Sequence, residues 1–324
     1  MTSTIVPHAQ QLAASGQTMQ AVAHLEQGAG RDDVDALFCL ATWHLAGYGV
    51  ARDLPRARDL LHRAVGIGHV DAALMEIALT ANGSGAPVDW PGAIDLLNIA
   101  AQTDPVAQDQ LALIDRMALD RDGYPAMAPS GQPVTAQWDV RLFRNFLSAD
   151  ECHHVITQGA PMMEPAMVID PRTGRAVPHP IRTSDGGIFG PARENLVIQA
   201  INRRIAAASG TQTACGEPLT TLRYGVGQQY RQHHDCLPHV QNQRSWTMLI
   251  YLNEGYMGGE TVFPYLNVSV KGRKGDALLF RNIDPQGRPA PLATHLGAPV
   301  TAGQKWLCTR WIRTQDHDPW ASAS

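Results

Sequence analysis

His233 and Asp235 stand two positions apart in the run YRQHHDCLPH, and a second imidazole, His295, lies sixty positions further along. In an extended strand, side chains two apart project to the same face, so an imidazole and a carboxylate at this spacing can reach one ion. A histidine delivered by a distant strand completes a set of two nitrogens and one oxygen. That set leaves coordination positions open and suits a non-haem Fe(II) centre that activates dioxygen. His234 and His239 compete for the first position. Period-2 geometry turns His234 away from Asp235, and His239 follows Pro238 in a loop-like stretch. Ten positions beyond His295 stands Lys305, followed by the apolar run Trp306-Leu307-Cys308. An HxD alone is a weak signal, but HxD with a distant histidine and a lysine at that spacing is a strong one.

Such residues need a frame to bring them together. From Leu219 onward the patterning is of the β type, in LTTLRYG, WTMLIYLN, ETVFP, LNVSVKG, DALLFRN and WLCTRWIRT, separated by Gly or Asn turns. Six or more short strands that join two histidines across a sheet fit a double-sheet jelly roll. Lys305 and Trp311 are an even number of residues apart on the last of these strands, so both face the same way. Upstream, Leu196, Ile198, Ile201 and Ile205 recur at helical spacing and the run closes on Gly210, which predicts a packing helix with a glycine C-cap. Before it, Met162 to Pro191 is rich in Pro and Gly without either periodicity, and reads as a lid. Further back, Phe143 and Phe146 mark a strand end, and Ser148 followed by acids predicts a capped helix.

The front of the chain repeats itself. Aligning PRARDLLHRAVGIGHVDA (55 to 72) with PGAIDLLNIAAQTDPVA (91 to 107) puts Ala57 on Ala93, Leu61 on Leu97 and Ala64 on Ala100, a period of 36. Ala21 and Leu25 fall on the same register one period earlier, and Ala36 and Ala72 open the other helix of each unit. Small residues with leucines three or four apart describe paired amphipathic helices, with turns at Gly47 to Val50 and Asn82 to Gly85. The third unit is degenerate. A Pro- and Gly-rich run, RDGYPAMAPSGQP, then marks a boundary. The expected organisation is an α+β chain: an α-helical repeat solenoid over 1–120, a linker over 121–136, and a jelly-roll (double-stranded β-helix) catalytic domain with flanking helices over 137–324.

At 324 residues there is room for two cores, and 44% hydrophobic content is a globular value. A net charge of −4 with acids and bases interleaved argues against a nucleic-acid or anionic-membrane partner. No apolar run is long enough to span a bilayer, and the start lacks a basic region followed by an apolar core. Five cysteines scattered without CxxC spacing point to a reducing compartment, so the expected location is cytoplasmic.

Taken in order, RYGVGQQYRQHHD, TMLIYLN, GGETVFP, KGDALLF, TH and GQKWLCTRWIR resemble the prolyl 4-hydroxylase branch of the 2-oxoglutarate-dependent dioxygenases, over roughly Gln137 to Arg313. HLAGYGVARDLPRARDLLHRAVGIGHVDA resembles a Sel1-like repeat, a tetratricopeptide relative. The first resemblance implies Fe(II), 2-oxoglutarate and dioxygen as cofactor and co-substrates, with L-ascorbate as a rescuing reductant. It implies His233, Asp235 and His295 as metal ligands. A 2-oxo acid buried in its pocket needs a cation for its far carboxylate, and Lys305 fits by position and by the resemblance. By the same resemblance Tyr224 and Thr247 donate hydrogen bonds around the co-substrate, Arg182 and Ser184 match a substrate-side RTS element, Tyr230, Glu217 and Arg244 stand near a peptide site, and Trp311 lies nearer the substrate. The implied reaction is hydroxylation of prolyl residues in a peptide or protein, which the repeats would dock. Rival readings are an oxygenase of another residue, a free amino acid or a small molecule, and a non-catalytic repeat scaffold. A zinc hydrolase would need an HExxH helix, and the sequence has none.

Overall fold

The computed structural model describes residues 4–169 and 172–320. The chain divides into two compact units, Met1–Gly123 with Pro191–Gln199, and Tyr124–Gly190 with Ala200–Ser324.

In the first unit the helices Thr18–Ala29, Leu54–Gly66 and Trp90–Ala100 begin 36 residues apart, and Val34–Ala46 and Val70–Asn82 keep the same interval. The caps repeat with them. Asp33, Asp53, Asp89 and Asp104 each accept a hydrogen bond from the backbone N–H three residues on, and the His69 ring does the same for Ala72, satisfying helix donors that have no partner inside the helix. Gly47 and Gly83 close their helices in the left-handed conformation that a Cβ disfavours. Ala21, Ala57 and Ala93, with Leu25, Leu61 and Leu97, are fully buried, as the repeat register requires. The third pair, degenerate in sequence, keeps both helices, Trp90–Ala100 and Pro105–Ile114, although Ala100 is only half-buried.

The second unit is built on two antiparallel sheets. The larger runs Gln132–Pro133, Val140–Phe143, Ala277–Arg281, Arg244–Tyr251, Lys305–Arg313, Thr220–Tyr224, Asp185–Ile188 and Glu164–Pro165. The smaller runs Val268–Val270, Thr261–Phe263, His295–Gly297 and Tyr230–His233. Leu222, Leu249, Tyr251, Phe263, Leu278, Phe280 and Leu307 form one core cluster. The central strand Arg244–Tyr251 reads as a continuous apolar run because both its faces are covered: Leu249 and Tyr251 belong to that cluster, while Met248 and Ile250, pointing the other way, are also fully buried. The helix Ala149–Gly159 starts with a capping box, Ser148 accepting from the Glu151 N–H and Glu151 from the Ser148 N–H.

Two features depart from the sequence reading. Met162 to Pro191 is not structureless: Glu164–Pro165 and Asp185–Ile188 extend the edge of the larger sheet, and Met167–Ile169 pairs with Ala176–Pro178 in a hairpin. Strands of two to four residues are too short to register a period of two against interspersed Pro and Gly. Gln132–Pro133, inside the expected linker, likewise joins the sheet. Among the described residues no helix is long and apolar enough to cross a membrane.

Candidate metal centre

His233 and His295 face each other as cross-strand partners in the smaller sheet. Each ring is aimed by its own backbone: His233 Nδ1 lies 2.8 Å from the Arg231 carbonyl oxygen and His295 Nδ1 lies 3.0 Å from that of Ala293. With Nδ1 engaged, each Nε2 turns inward, the usual device for fixing a ligating imidazole. Asp235 lies past the end of its strand, in a bend, rather than on the extended strand the HxD spacing suggested. Its carboxylate nevertheless reaches both rings, Oδ1 at 3.6 Å from His233 Nε2 and Oδ2 at 3.8 Å from His295 Nε2. What holds it is the Thr247 hydroxyl, which donates to Oδ2 at 2.6 Å. One ligand atom from each of the three lies within 4.8 Å of the others.

Burial opposes the charge on Asp235, but His295 and His233 beside it, with the Thr247 hydroxyl, hold its carboxyl below the usual range. Burial lowers His295 to about 4, against the pull of Asp235, so its ring is neutral and its lone pair free at neutral pH. Tyr230 stacks on His233 with centroids 3.5 Å apart, and Phe263 and Phe280 close around His295. His234 is spent elsewhere, its Nε2 2.9 Å from the Ala290 carbonyl oxygen and its Nδ1 accepting from the Cys236 N–H. His239 is an exposed loop residue.

The three residues line one pocket together with Tyr224, Tyr230, Lys305 and Trp311. Lys305 is paired across the sheet with Tyr224 and buried, and burial lowers its ammonium to about 8. It donates to the Gly259 carbonyl at 2.7 Å and stands over the rings of Tyr224 and Tyr251. Among the described residues no carboxylate lies within ion-pair distance of it. A buried cation without a carboxylate partner and a two-histidine, one-carboxylate set in the same lining are the groups that Fe(II) and a dicarboxylic 2-oxo acid require.

The remaining expected residues are distributed differently. Thr247 does not line the pocket, and its hydroxyl serves Asp235 in place of the co-substrate, because it faces the carboxylate from the strand behind. Glu217 and Arg244 are outside the pocket lining as well. Glu217 accepts from Arg244 Nε and Nη2, each at 2.7 Å, and from Arg313 Nε at 2.6 Å, and the Arg244 guanidinium lies over Trp311, 4.0 Å from its centroid. Arg182 is bridged to Tyr230 and lies over its ring, and its buried Nε has no hydrogen-bond partner. Ser184 is fully buried. Sequence reasoning missed Thr261, whose Oγ1 is 3.0 Å from the Tyr251 hydroxyl, and Leu222, Leu249, Gly297, Leu307 and Thr309 of the lining. Thr261 sits inside GGETVFP, a motif noticed but not assigned a role.

Residues 219–313 match the 2OG-Fe(II) oxygenase superfamily. Prolyl 4-hydroxylase 1 of Arabidopsis thaliana is 34% identical over 221 residues, covering 62% of this chain and 78% of that protein. Among solved structures, a viral collagen prolyl hydroxylase from Paramecium Bursaria Chlorella virus-1, in complex with 2OG, is 28% identical over 54% of this chain and 96% of its own, with a TM-score of 0.44. A Sel1 repeat protein from Oxalobacter formigenes is 25% identical over 34% of this chain and 47% of its own, with a TM-score of 0.31.

Proposed function

The chain belongs to the prolyl 4-hydroxylase family of 2OG-Fe(II) oxygenases, and on that premise we propose that it hydroxylates prolyl residues of a peptide or protein. The observation that carries the reading is that one pocket holds His233, Asp235 and His295 at one place and the buried Lys305 at another. Fe(II) with 2-oxoglutarate and dioxygen supplies the oxidising power, one oxygen going to the substrate C–H and the other to succinate as carbon dioxide leaves.

The chain's own residues bind and orient. His233, Asp235 and His295 hold the metal. Lys305 meets the far carboxylate of 2-oxoglutarate, and Tyr224, directly across the sheet from it, offers a phenol that burial keeps protonated as a donor. Leu222, Leu249 and Leu307 exclude water from the same lining. Trp311 and Tyr230 flank the substrate side, with Arg182 over the Tyr230 ring. Glu217 and Arg244 serve that side indirectly, Glu217 fixing the Arg244 guanidinium over the Trp311 ring. The helical repeats dock a long substrate, ascorbate acts as the rescuing reductant, and the five free cysteines fit a reducing, cytoplasmic setting.

The test is turnover of proline-containing peptides by the purified full chain with Fe(II), 2-oxoglutarate and ascorbate, followed by mass spectrometry of peptide and succinate. Addition of one oxygen to proline, stoichiometric with succinate, is the expected result. Stoichiometric oxidation of another residue, or succinate release indifferent to proline, would replace the prolyl assignment.

A further inference from the structure

We propose that Asn282, acting through Thr247, is a positioning residue that sets the rotation of the Asp235 carboxylate. The proposal rests on the iron reading of the site and deepens it.

A carboxylate that ligates a cation is deprotonated and can only accept hydrogen bonds. The single proton of the Thr247 hydroxyl is therefore committed to Asp235 Oδ2, 2.6 Å away. Thr247 Oγ1 must then act as acceptor toward its other neighbour, the side chain of Asn282 at 2.8 Å. That requirement dictates the orientation of the amide: its NH2 faces Thr247 and its Oδ1 faces away. There Oδ1 is buried without a hydrogen-bond partner. An orphaned buried carbonyl calls for an explanation, and the proton order of the relay supplies one. Turning the amide over would satisfy nothing, since two acceptors would then face one hydroxyl proton.

Asn282 is fully buried, and its backbone is fixed on both sides, its N–H donating to the Ser245 carbonyl at 2.8 Å and its carbonyl accepting from the Ala290 N–H at 2.9 Å. Thr247 is likewise buried and sits on the central strand of the larger sheet. Asp235, by contrast, lies beyond its strand and has no ladder to hold it. The relay thus ties a carboxylate on a bend to two rigid positions, with Oδ1 left toward His233 and Oδ2 toward His295.

Binding of Mn(II), as a redox-silent probe, is measured by calorimetry on the full chain without 2-oxoglutarate, alongside thermal melting of each metal-free protein. Thr247→Val should weaken Mn(II) binding by roughly ten- to a hundredfold, the range for loss of a group that supports a ligand, and Thr247→Ser should restore it. Asn282→Ala should weaken it by up to about tenfold, yet add nothing in the Thr247→Val background, because its path runs through that hydroxyl. Independent, multiplicative losses in the double variant would overturn the proposal, as would unchanged affinity in Asn282→Ala. If Thr247→Ser lost as much affinity as Thr247→Val, with metal-free melting falling in step, packing would be the cause and the relay would be refuted. Failure of the unaltered chain to bind Mn(II) would overturn the iron reading itself, and this inference with it.

Discussion

The ammonium of Lys305 lies buried between Tyr224 and Tyr251, and burial lowers its pKa to about 8. Its charge is therefore conditional in a way that an exposed lysine's is not. Above pH 8 the free protein loses that proton, and a dicarboxylate must bring it back to bind. The dissociation constant of 2-oxoglutarate should rise with pH above about 8, tending to tenfold per unit. In Lys305→Ala, binding should be about ten- to a hundredfold weaker and that dependence should vanish. Calorimetric titration of 2-oxoglutarate from pH 7 to 9.5 reads both effects, and parallel slopes for the two proteins would assign the pH effect to another group. The same depressed pKa works on stability with a known sign. The unfolded lysine holds its proton to higher pH, so the free protein gains stability from this group as pH rises from about 8 toward the ordinary lysine value.

At the scale of elements, the folding signals are local and separable from the chemistry. The capping box of Ser148 and Glu151 satisfies two otherwise unpaired N–H groups at the start of Ala149–Gly159. Ser148→Ala should cost about 1 kcal/mol in chemical denaturation while the affinity for 2-oxoglutarate stays as it was. In the helical repeats Gly85 has a φ of +78°, and a Cβ there would meet the Leu54 backbone at 2.7 and 2.8 Å. Both terms oppose a side chain, and neither contact is with a flexible group that could move aside. Gly85→Ala should therefore cost more than about 1 kcal/mol, visible as a lowered melting transition. A variant as stable as the parent would mean that this turn relaxes freely.

At the scale of the whole chain, Pro191–Gln199 belongs with the helical repeats although it follows the first strands of the oxygenase unit in sequence. Gln199 donates to the Ala78 carbonyl and Asn82 to the Pro191 carbonyl, and Leu196, Val197 and Ile198 are fully buried. Deleting the chain up to Gly123 strips that segment of its partners. Such a truncation should melt earlier and bind an apolar-surface dye more strongly than the full chain, before any effect on substrate docking is considered. Equal melting temperatures would show that the segment's burial does not depend on the repeats. The docking role is better tested by comparing short and long substrates on the intact chain.

The sequence alone determined the helical repeat and named His233, Asp235, His295 and Lys305 as candidates, which the structure brings into one pocket. A period of 36 and a cap three residues from its N–H are properties of the chain that survive without knowing the fold, whereas the two-residue strand geometry does not extend to Asp235, which sits in a bend. The His234 ring is engaged by the Ala290 carbonyl. Only the tertiary structure decided what backs those residues. The family resemblance implies Thr247 around the co-substrate, whereas its hydroxyl donates to Asp235, a direction that depends on where the bend after His233 puts that carboxylate. Arg244 and Arg313 lie on two neighbouring strands and Glu217 in the loop before a third, and both arginines meet that carboxylate only once the strands are in register. The short strands between Met162 and Pro191 follow the same logic: they are held by the strands they pair with, and two to four residues carry too little pattern to declare it beforehand.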